Sequence, residues 1–359
     1  MGCLFSRCNF GGREHLEENY EDANEQQKVY SWDKREKVNV QDFIIDGIKN
    51  ETVGRLPGDV NGQQIVIQNC ENCNIYIFDH TVTLTVDDCS DCNIFLGPIK
   101  TSVFIRDCKN CNIAVACQQF RTRDCSKINV YLCCDTQPII ESSTGMKFGC
   151  FQYFYPELEG QFKAAGLSVY NNNWSKIHDF TPVPGENNYS FLTKEANLKD
   201  VSLLVPSVSA EKFSGLQSQI STENDKSVVP YTLGSRRKTS DESCLVVFFN
   251  DSSSCVRAAK FIECLRTNGM FTLAQTKEVA MLPEDSVRVF GSDLYSNAVK
   301  QGKVIGFEVN GMGCIQFCQE TVTDLLKDST GVAFVSQSQE VAVQNIDNFY
   351  NFADMQMGV

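Results

Sequence analysis

The sequence predicts a β plus α/β protein, in which an N-terminal right-handed parallel β-helix precedes a ferredoxin-like α/β domain. Three observations lead to this fold class. A motif repeats every 19 residues in the N-terminal half, its apolar residues alternate as in strands, and the last third changes to strands that alternate with helices. The first two observations indicate a solenoid, and the third indicates a separate sandwich domain.

The repeat is built on a Cys-x-x-Cys motif. Three complete pairs follow one another at intervals of 19 residues, and a degenerate copy follows 17 residues later. The copies are Cys70/Cys73, Cys89/Cys92, Cys108/Cys111 and the degenerate Cys125/Ile128. Apolar and polar residues alternate on both sides of each copy, which is the pattern of two short strands joined by a corner. A fixed period of about 20 residues predicts coils that bury their apolar faces against each other.

The cysteines leave a second interpretation open, because the spacing from Cys73 to Cys89 also fits a zinc ribbon. Three features favour a buried ladder of thiols instead. There are more than two pairs, the cysteines keep a fixed phase relative to the strands, and Ile128 replaces what would be a ligand. We therefore predict small buried cysteines and no metal site.

Composition excludes several classes of protein. A chain of 359 residues with a net charge of −13 lacks the clustered basic residues that nucleic-acid binding requires, so no nucleic-acid partner is expected. No apolar run reaches the length of a membrane span, and no secretory signal opens the chain. The 18 cysteines therefore indicate reduced thiols in the cytoplasm, and we expect a monomer.

The first six residues form a lipidation motif. Met1-Gly2-Cys3-Leu4-Phe5-Ser6 fits the acceptor for N-myristoylation at Gly2, and Cys3 is placed for palmitoylation. One myristoyl chain binds membranes weakly, so a second acyl chain is needed for a stable anchor. We divide the chain into a lipidated, disordered tether at 1–35, the β-helix at 36–185, an extended connector packing on it at 186–240, and the ferredoxin-like domain at 241–359.

The C-terminal third alternates strands and helices, beginning with the apolar run from Leu245 to Phe249. This order of elements predicts a ferredoxin-like sandwich, and it resembles that of nucleoside diphosphate kinases. Those kinases need a histidine that accepts the phosphoryl group. All three histidines, His15, His80 and His178, lie upstream of this domain, so we expect a scaffold without kinase activity. Another nucleotide-processing activity in this domain stays open as a minor alternative.

The repeat breaks its pattern in the fourth copy. Strand side chains alternate, so the residues four and two places before each first cysteine point outward. In the fourth copy these residues are Arg121 and Arg123. Stacking places amides over hydroxyls on the same face: Gln118 over Thr101, and Gln119 over Ser102. The carboxylate of Glu141, one coil later, is placed to orient an arginine by a bidentate hydrogen bond.

An arginine held on rigid backbone beside amides suits phosphoryl-transfer chemistry in a partner. An inserted guanidinium stabilises the charge that develops on the γ-phosphate, and lysine lacks the planar fork of donors that this requires. The other interpretation is that Arg121 and Arg123 only solvate an exposed strand. Spacing alone leaves both interpretations open.

The run Gln118-Gln119-Phe120-Arg121 on a cysteine-rich β-helix resembles the tubulin-cofactor-C homology family. The Met-Gly-Cys start and the kinase-like tail without histidine extend the resemblance to nearly the whole chain. The resemblance implies activation of an Arf-like small GTPase in its GTP-bound form, with Arg121 as the arginine finger and Glu141 holding it. It also implies a GTPase interface comprising Thr101, Ser102, Gln118, Gln119, Phe120 and Arg123.

The resemblance further implies that the GTPase supplies GTP and Mg²⁺, so no cofactor of this chain's own is expected. It implies work at the cytoplasmic face of the plasma membrane, at the cilium base and on Golgi-related vesicles, in trafficking of lipidated proteins. The alternative function is a non-catalytic effector or adaptor that tethers a GTPase or a tubulin-related partner to membrane.

Overall fold

The computed structural model describes residues 39–193, 203 and 210–357. The lipidation motif at Gly2 and Cys3 lies outside the described residues. Val40–Val359 forms one unit by its contacts, and it contains a parallel β-solenoid and a four-stranded antiparallel sheet with helices. Both parts of the predicted fold class are therefore confirmed.

Among the described residues, twelve strands build the solenoid after a short 3₁₀ turn at Val40–Phe43. They are β1 (Ile44–Asp46), β2 (Thr52–Arg55), β3 (Ile65–Gln68), β4 (Asn74–Ile77), β5 (Leu84–Asp87), β6 (Asn93–Arg106), β7 (Asn112–Arg123), β8 (Asn129–Cys134), β9 (Ile139–Glu141), β10 (Met146–Cys150), β11 (His178–Asp179) and β12 (Tyr189–Phe191). One side stacks β1, β3, β5, the second halves of β6 and β7, β9 and β11. The other side stacks β2, β4, the first halves of β6 and β7, β8, β10 and β12. All these pairings are parallel, as a β-helix requires.

The cysteines line the inside of the corners between the two sides. Every cysteine of the four copies is at most 2% exposed, and Ile128 fills the place of the missing one at 0%. The residue before each first cysteine has a left-handed backbone with φ near +50°: Asn69, Asp88, Asp107 and Asp124. Asparagine and aspartate tolerate this conformation better than other side chains with a Cβ, so they recur at the corner. No group of three or more potential ligands for a metal ion occurs in the described part of the chain.

A ladder of asparagines fixes the register after each corner. The side-chain Nδ2 of Asn93 donates to Oδ1 of Asn74 (2.9 Å), Asn112 donates to Asn93 (2.8 Å), and Asn129 donates to Asn112 (2.8 Å). Stacked amides of this kind stabilise parallel strands in register. The ladder therefore holds β4, β6, β7 and β8 at fixed positions relative to each other.

The outward surface of the β4–β6–β7–β8 side is buried under the chain that follows. Helix α1 (Leu158–Ala165) and helix α2 (Ala210–Gln217) belong to this cover, together with aromatic residues such as Tyr153 and Tyr155. The rings of Phe95 and Tyr153 stack with centroids 4.1 Å apart. The sequence predicted an extended connector at 186–240, but this segment also contributes strand β12 and helix α2. With one side covered, the strands β5, β6, β7 and β9 present the outward surface on the opposite side.

The described part of the C-terminal domain consists of four strands, four α-helices and two 3₁₀ turns at Asp293–Tyr295 and Val299–Gln301. The strands and α-helices are β13 (Ser243–Phe248), α3 (Ser254–Asn268), β14 (Thr272–Val279), α4 (Pro283–Phe290), β15 (Val304–Asn310), α5 (Cys314–Leu326), β16 (Ala333–Val335) and α6 (Gln339–Met357). The strand order β14-β15-β13-β16, antiparallel throughout, is that of a ferredoxin-like sandwich. Helix α6 was not expected from the sequence. Among the described helices, none is long and apolar enough to span a membrane.

A cluster of charges joins the solenoid to the C-terminal domain. Lys277 on β14 is 1% exposed and lies 3.2 Å from Oδ1 of Asp354 on α6. Lys176, from the segment before β11, pairs with the other oxygen of Asp354. The Nζ of Lys277 also donates to Oδ1 of Asn173 at 2.6 Å. Burial lowers the pKa of Lys277 to about 8, although the Asp354 charge opposes this shift. Burial raises the pKa of nearby Asp135 to about 7 against the opposing charges of lysines.

Asp135→Asn is expected to stabilise the protein at pH 8 but not near pH 4. The pKa of Asp135 is raised in the folded state, so its favourable contribution exists at low pH and is lost as the pH rises towards about 7. Asparagine avoids the cost of a buried carboxylate, and we expect a gain of about 2 kcal/mol in the free energy of unfolding at pH 8. Urea unfolding at several pH values measures it. A gain that is the same at both pH values would contradict the assigned ionisation.

Candidate functional site

The outward surface of β6, β7 and β9 contains the predicted arginines. Arg121 and Arg123 are both exposed on β7, as the alternation predicts. The parallel register places Arg121 between Phe104 of β6 and Ile139 of β9. Both neighbouring strands are hydrogen-bonded to β7, so the backbone that presents Arg121 is held on its two sides.

The three arginines of this surface differ in their partners. Arg106 donates from Nε and Nη2 to the two oxygens of Asp87, at 2.8 and 2.7 Å, and this hydrogen-bonded pair raises the pKa of Arg106. The Nε of Arg123 lies 3.3 Å from Oδ2 of Asp124. Arg121 has no ion pair or hydrogen bond from its guanidinium within residues 39–193, 203 and 210–357. Its five N–H donors are therefore available to a partner.

Glu141 lies one coil after Arg121 but is not its direct neighbour across the strands. The register places it directly opposite Arg123, and therefore diagonal to Arg121. The described residues contain no ion pair between Glu141 and either arginine. The phase of the fifth coil explains the register of Glu141. Ser143 occupies the place of the first cysteine in this coil, and Glu141 lies two residues before it, as Arg123 does before Cys125. A diagonal separation of about 7–8 Å between Cα atoms remains within reach of long side chains.

A bulge in β6 sets the positions of the amides. The register pairs Ile99 with Cys117 and Ser102 with Gln119. Two residues of β6, Lys100 and Thr101, therefore lie opposite the single residue Gln118 of β7. The predicted pairing of Gln119 with Ser102 is confirmed, whereas Gln118 faces the bulge and does not stack on Thr101 alone. Such bulges bend a strand and redirect its side chains, and they are frequent beside functional sites.

The two hydroxyls beside the bulge have different roles. Oγ of Ser102 donates to Oε1 of Gln119 at 3.1 Å, so the NH₂ group of that amide remains for another acceptor. The hydroxyl of Thr101 donates instead to the backbone carbonyl of Val82 at 2.6 Å. Thr101 therefore braces the preceding coil, while Ser102 orients an amide. Gln118 is exposed, and its side chain has no partner among the described residues.

Phe120 was expected at the interface, and this expectation is wrong. Its side chain is 0% exposed and lies inside the solenoid, where its ring contacts that of Phe148 at a centroid distance of 6.0 Å. The alternation of the strand explains the correction, because Phe120 lies between the outward residues Gln119 and Arg121. Phe120 supports the strand from within.

The surface forms a shallow depression of about 340 Å³ that also contains residues to which no sequence pattern pointed. Arg121, Arg123, Glu141 and Ile139 line it together with Phe180. Phe180 is 64% exposed although it is a large apolar residue, and its backbone N–H donates to Ile140. It lies beyond the cysteine repeat, so no periodicity pointed to it. An exposed aromatic beside free guanidinium and amide groups is typical of the centre of a protein interface.

The chain is similar to known proteins over its whole length. Residues 62–180 match the family model Tubulin binding cofactor C. Protein XRP2 of Gallus gallus is 54% identical over 365 residues, which cover 100% of both chains. Tubulin-specific chaperone C of Homo sapiens is 27% identical over 133 residues, covering 37% of this chain and 38% of that protein. A solved nucleoside diphosphate kinase of Aquifex aeolicus aligns with 30% of this chain and 94% of its own at 15% identity, with a TM-score of 0.26.

The solenoid with cysteine corners, matched over residues 62–180, is a domain of the tubulin-cofactor-C class. The 54% identity to Protein XRP2 over the full length then identifies the family. The chain belongs to the XRP2 family. The resemblance that rests on Gln118-Gln119-Phe120-Arg121 is thereby confirmed at the level of the family.

Proposed function

We propose that this protein is a membrane-anchored GTPase-activating protein that stimulates GTP hydrolysis by an Arf-like small GTPase. The GTPase supplies the nucleotide, Mg²⁺ and the attacking water, and this chain supplies Arg121 in trans. The single observation that carries the proposal is the free guanidinium of Arg121, presented from a strand that is paired on both sides. GTP hydrolysis requires little more than this arginine from an activating protein, because phosphoryl transfer depends mainly on positioning and charge stabilisation.

The neighbours of Arg121 take subsidiary roles in this proposal. Gln118 and Gln119 donate hydrogen bonds next to the nucleotide, and Phe180 anchors the interface through its exposed ring. Glu141 orients Arg121 across the diagonal when the partner closes over the depression. Arg123, which is already near Asp124, contributes positive charge to the encounter with the GTPase.

The proposal includes an acyl anchor at the N-terminus. Myristate on Gly2 and palmitate on Cys3 supply the two chains that stable membrane attachment needs. This anchor places the protein at the cytoplasmic face of the plasma membrane, with further work at the cilium base and on Golgi-related vesicles. Fractionation of wild-type protein and Gly2→Ala from cells tests the anchor. An unchanged membrane fraction of Gly2→Ala would remove it from the proposal.

Single-turnover GTP hydrolysis tests the function. Purified Arf-like GTPases are loaded with GTP and mixed with an excess of this protein, and the released phosphate is followed over time. Acceleration by several orders of magnitude supports GTPase activation. Tight GTP-dependent binding without acceleration would instead make the protein an effector or adaptor, with the arginines as part of its binding surface.

Gln119→Glu is expected to slow the stimulated hydrolysis by about 100-fold, as loss of one donor at a site of developing charge does. The substitution keeps the oxygen that accepts from Ser102 but removes the NH₂ donor. Ser102→Ala should cost about tenfold through loss of orientation, and Ser102→Thr should restore most of the rate because it retains the hydroxyl. Gln68→Glu, at an outward position three coils earlier, is the control. Equal rates for Gln119→Glu and wild type would exclude the amide from the reaction.

A further inference from the structure

A cavity of about 270 Å³ lies away from the arginine surface, between the segment 224–233 and the C-terminal domain. Val228, Pro230 and Leu233 form one wall, and Ile262 and Arg266 of α3 form the other. Most of its lining is apolar. Concave apolar spaces with few polar groups are the usual form of small-molecule sites.

Helix α3 has apolar residues on two faces, which an ordinary surface helix does not need. Ala258 and Phe261 are fully buried against the sheet, where the ring of Phe261 stacks on that of Phe307 at 5.6 Å. Ala259 and Ile262 line the cavity, and Ile262 also packs against the edge of the core that contains Phe261. Ala259 is exposed and Ile262 is half-buried, so the segment 224–233 covers this second face only in part. A second apolar stripe left open in this way indicates an additional apolar contact.

The charge of the cavity comes from a single residue. Arg266 is the one charged side chain among the described residues that line it. Its Nη1 donates to the backbone carbonyls of Asn224 and Asp225, which form part of the mouth. Nε and Nη2 take part in no hydrogen bond among the described residues, so these donors can bind an anion at the mouth. A guanidinium offers two parallel N–H groups to a carboxylate.

We propose that this cavity binds an apolar monocarboxylate of the medium-chain fatty-acid class. The hydrocarbon chain lies between Ile262 and Val228, and the carboxylate pairs with Arg266 at the mouth. Charge complementarity favours this occupant over a neutral lipid, because Arg266, the one charged side chain among the described lining residues, is positive. The volume is below the roughly 300–1,000 Å³ of pockets for drug-sized ligands, which favours a short chain over a whole membrane lipid. The proposal does not depend on the GTPase-activating function.

Titration calorimetry with decanoate below its micelle concentration tests the proposal. The full-length protein should bind decanoate saturably with one site and a negative heat-capacity change, because apolar surface is buried. Decanol, which has the same chain without the charge, should bind about tenfold more weakly, in line with the loss of one charged hydrogen-bonded pair. Arg266→Gln should weaken decanoate binding by a similar factor and leave decanol binding unchanged.

Ile262→Trp fills the cavity and should abolish binding of both probes. The control is Lys260→Gln, which changes an exposed residue of the same helix outside the lining and should bind both probes like wild type. The comparison of decanoate with decanol uses wild-type protein alone, so it does not depend on how any variant folds. Absence of saturable decanoate binding overturns the proposal, and this is also the result if the cavity serves a protein partner. Equal affinities for the two probes, or binding unaffected by Ile262→Trp, overturn it as well.

Discussion

Arg121→Ala is expected to remove the acceleration of GTP hydrolysis almost completely, by a factor of about 10³–10⁵ in the single-turnover rate. The guanidinium stabilises charge that exists only in the transition state, so its loss acts on the rate. Affinity for the GTP-bound GTPase should fall about tenfold at most, because many other residues of the surface contribute to binding. Single-turnover rates and equilibrium binding, measured on the same preparations, separate the two effects.

Two further variants test whether the loss of rate is due to the planar guanidinium of Arg121. Arg121→Lys keeps the positive charge but loses the planar guanidinium, so its rate should stay within about tenfold of that of Arg121→Ala. Arg123→Ala removes a charge two residues further along the same surface and should lower the rate much less, because Arg123 already has Asp124 as a neighbour. Equal loss of rate and affinity in Arg121→Ala, or full activity of Arg121→Lys, would contradict an arginine finger.

Asp354→Ala is expected to lower the free energy of unfolding by about 2 kcal/mol, less than the loss of one partner from a fully buried ion pair, because the side chain of Asp354 is 22% exposed. The carboxylate of Asp354 lies between Lys176 and Lys277, and the side chain of Lys277 is 1% exposed. Without Asp354, the two ammonium groups lose their shared carboxylate. Lys277 keeps hydrogen bonds to Oδ1 of Asn173 and Sδ of Met357. The charge of Asp135 acts on Lys277 from further away. Because Asp354 raises the pKa of Lys277, the variant should also hold this lysine neutral at lower pH. Urea unfolding measures the change in stability.

A double-mutant cycle shows whether the pair causes this loss. Lys277→Met combined with Asp354→Ala should recover part of the stability, because the uncompensated charge is gone. Asp347→Asn removes an exposed carboxylate from the same helix α6 and is expected to change stability by less than about 0.5 kcal/mol. Additive effects of the two substitutions in the cycle would show that the pair is not coupled.

The sequence was sufficient for those features that follow a period. The coils, the buried cysteines and the outward position of Arg121 and Arg123 all depend on the alternation of strand side chains, which is a local property. The same alternation should have excluded Phe120 from the interface, because Phe120 lies between two outward residues. The family resemblance implied an interface role for Phe120 that this alternation does not allow, and the burial of Phe120 agrees with the alternation.

Features that depend on contacts between distant segments were not predictable in this way. Glu141 lies in a coil without a Cys-x-x-Cys pair, so there was no cysteine from which its register relative to Arg121 could be counted. Phe180 joins the site only because β11 pairs with β9, a contact between segments with no common motif. Helices α1 and α2 are short, and they are stabilised by the aromatic surface they cover more than by their own sequences.

Because its coils stack through backbone hydrogen bonds, the solenoid spaces its outward side chains at fixed intervals. Neighbouring parallel strands lie about 4.8 Å apart, so each coil moves an outward side chain by this step while keeping its direction. Phe104 and Arg121 occupy equivalent places on consecutive coils. An arginine at either place would point the same way, yet only one would reach a given phosphate, since transition-state contacts tolerate displacements of less than about 1 Å. The position of Arg121 along the solenoid can therefore change only by whole coils, and point substitutions nearby cannot shift it by smaller distances.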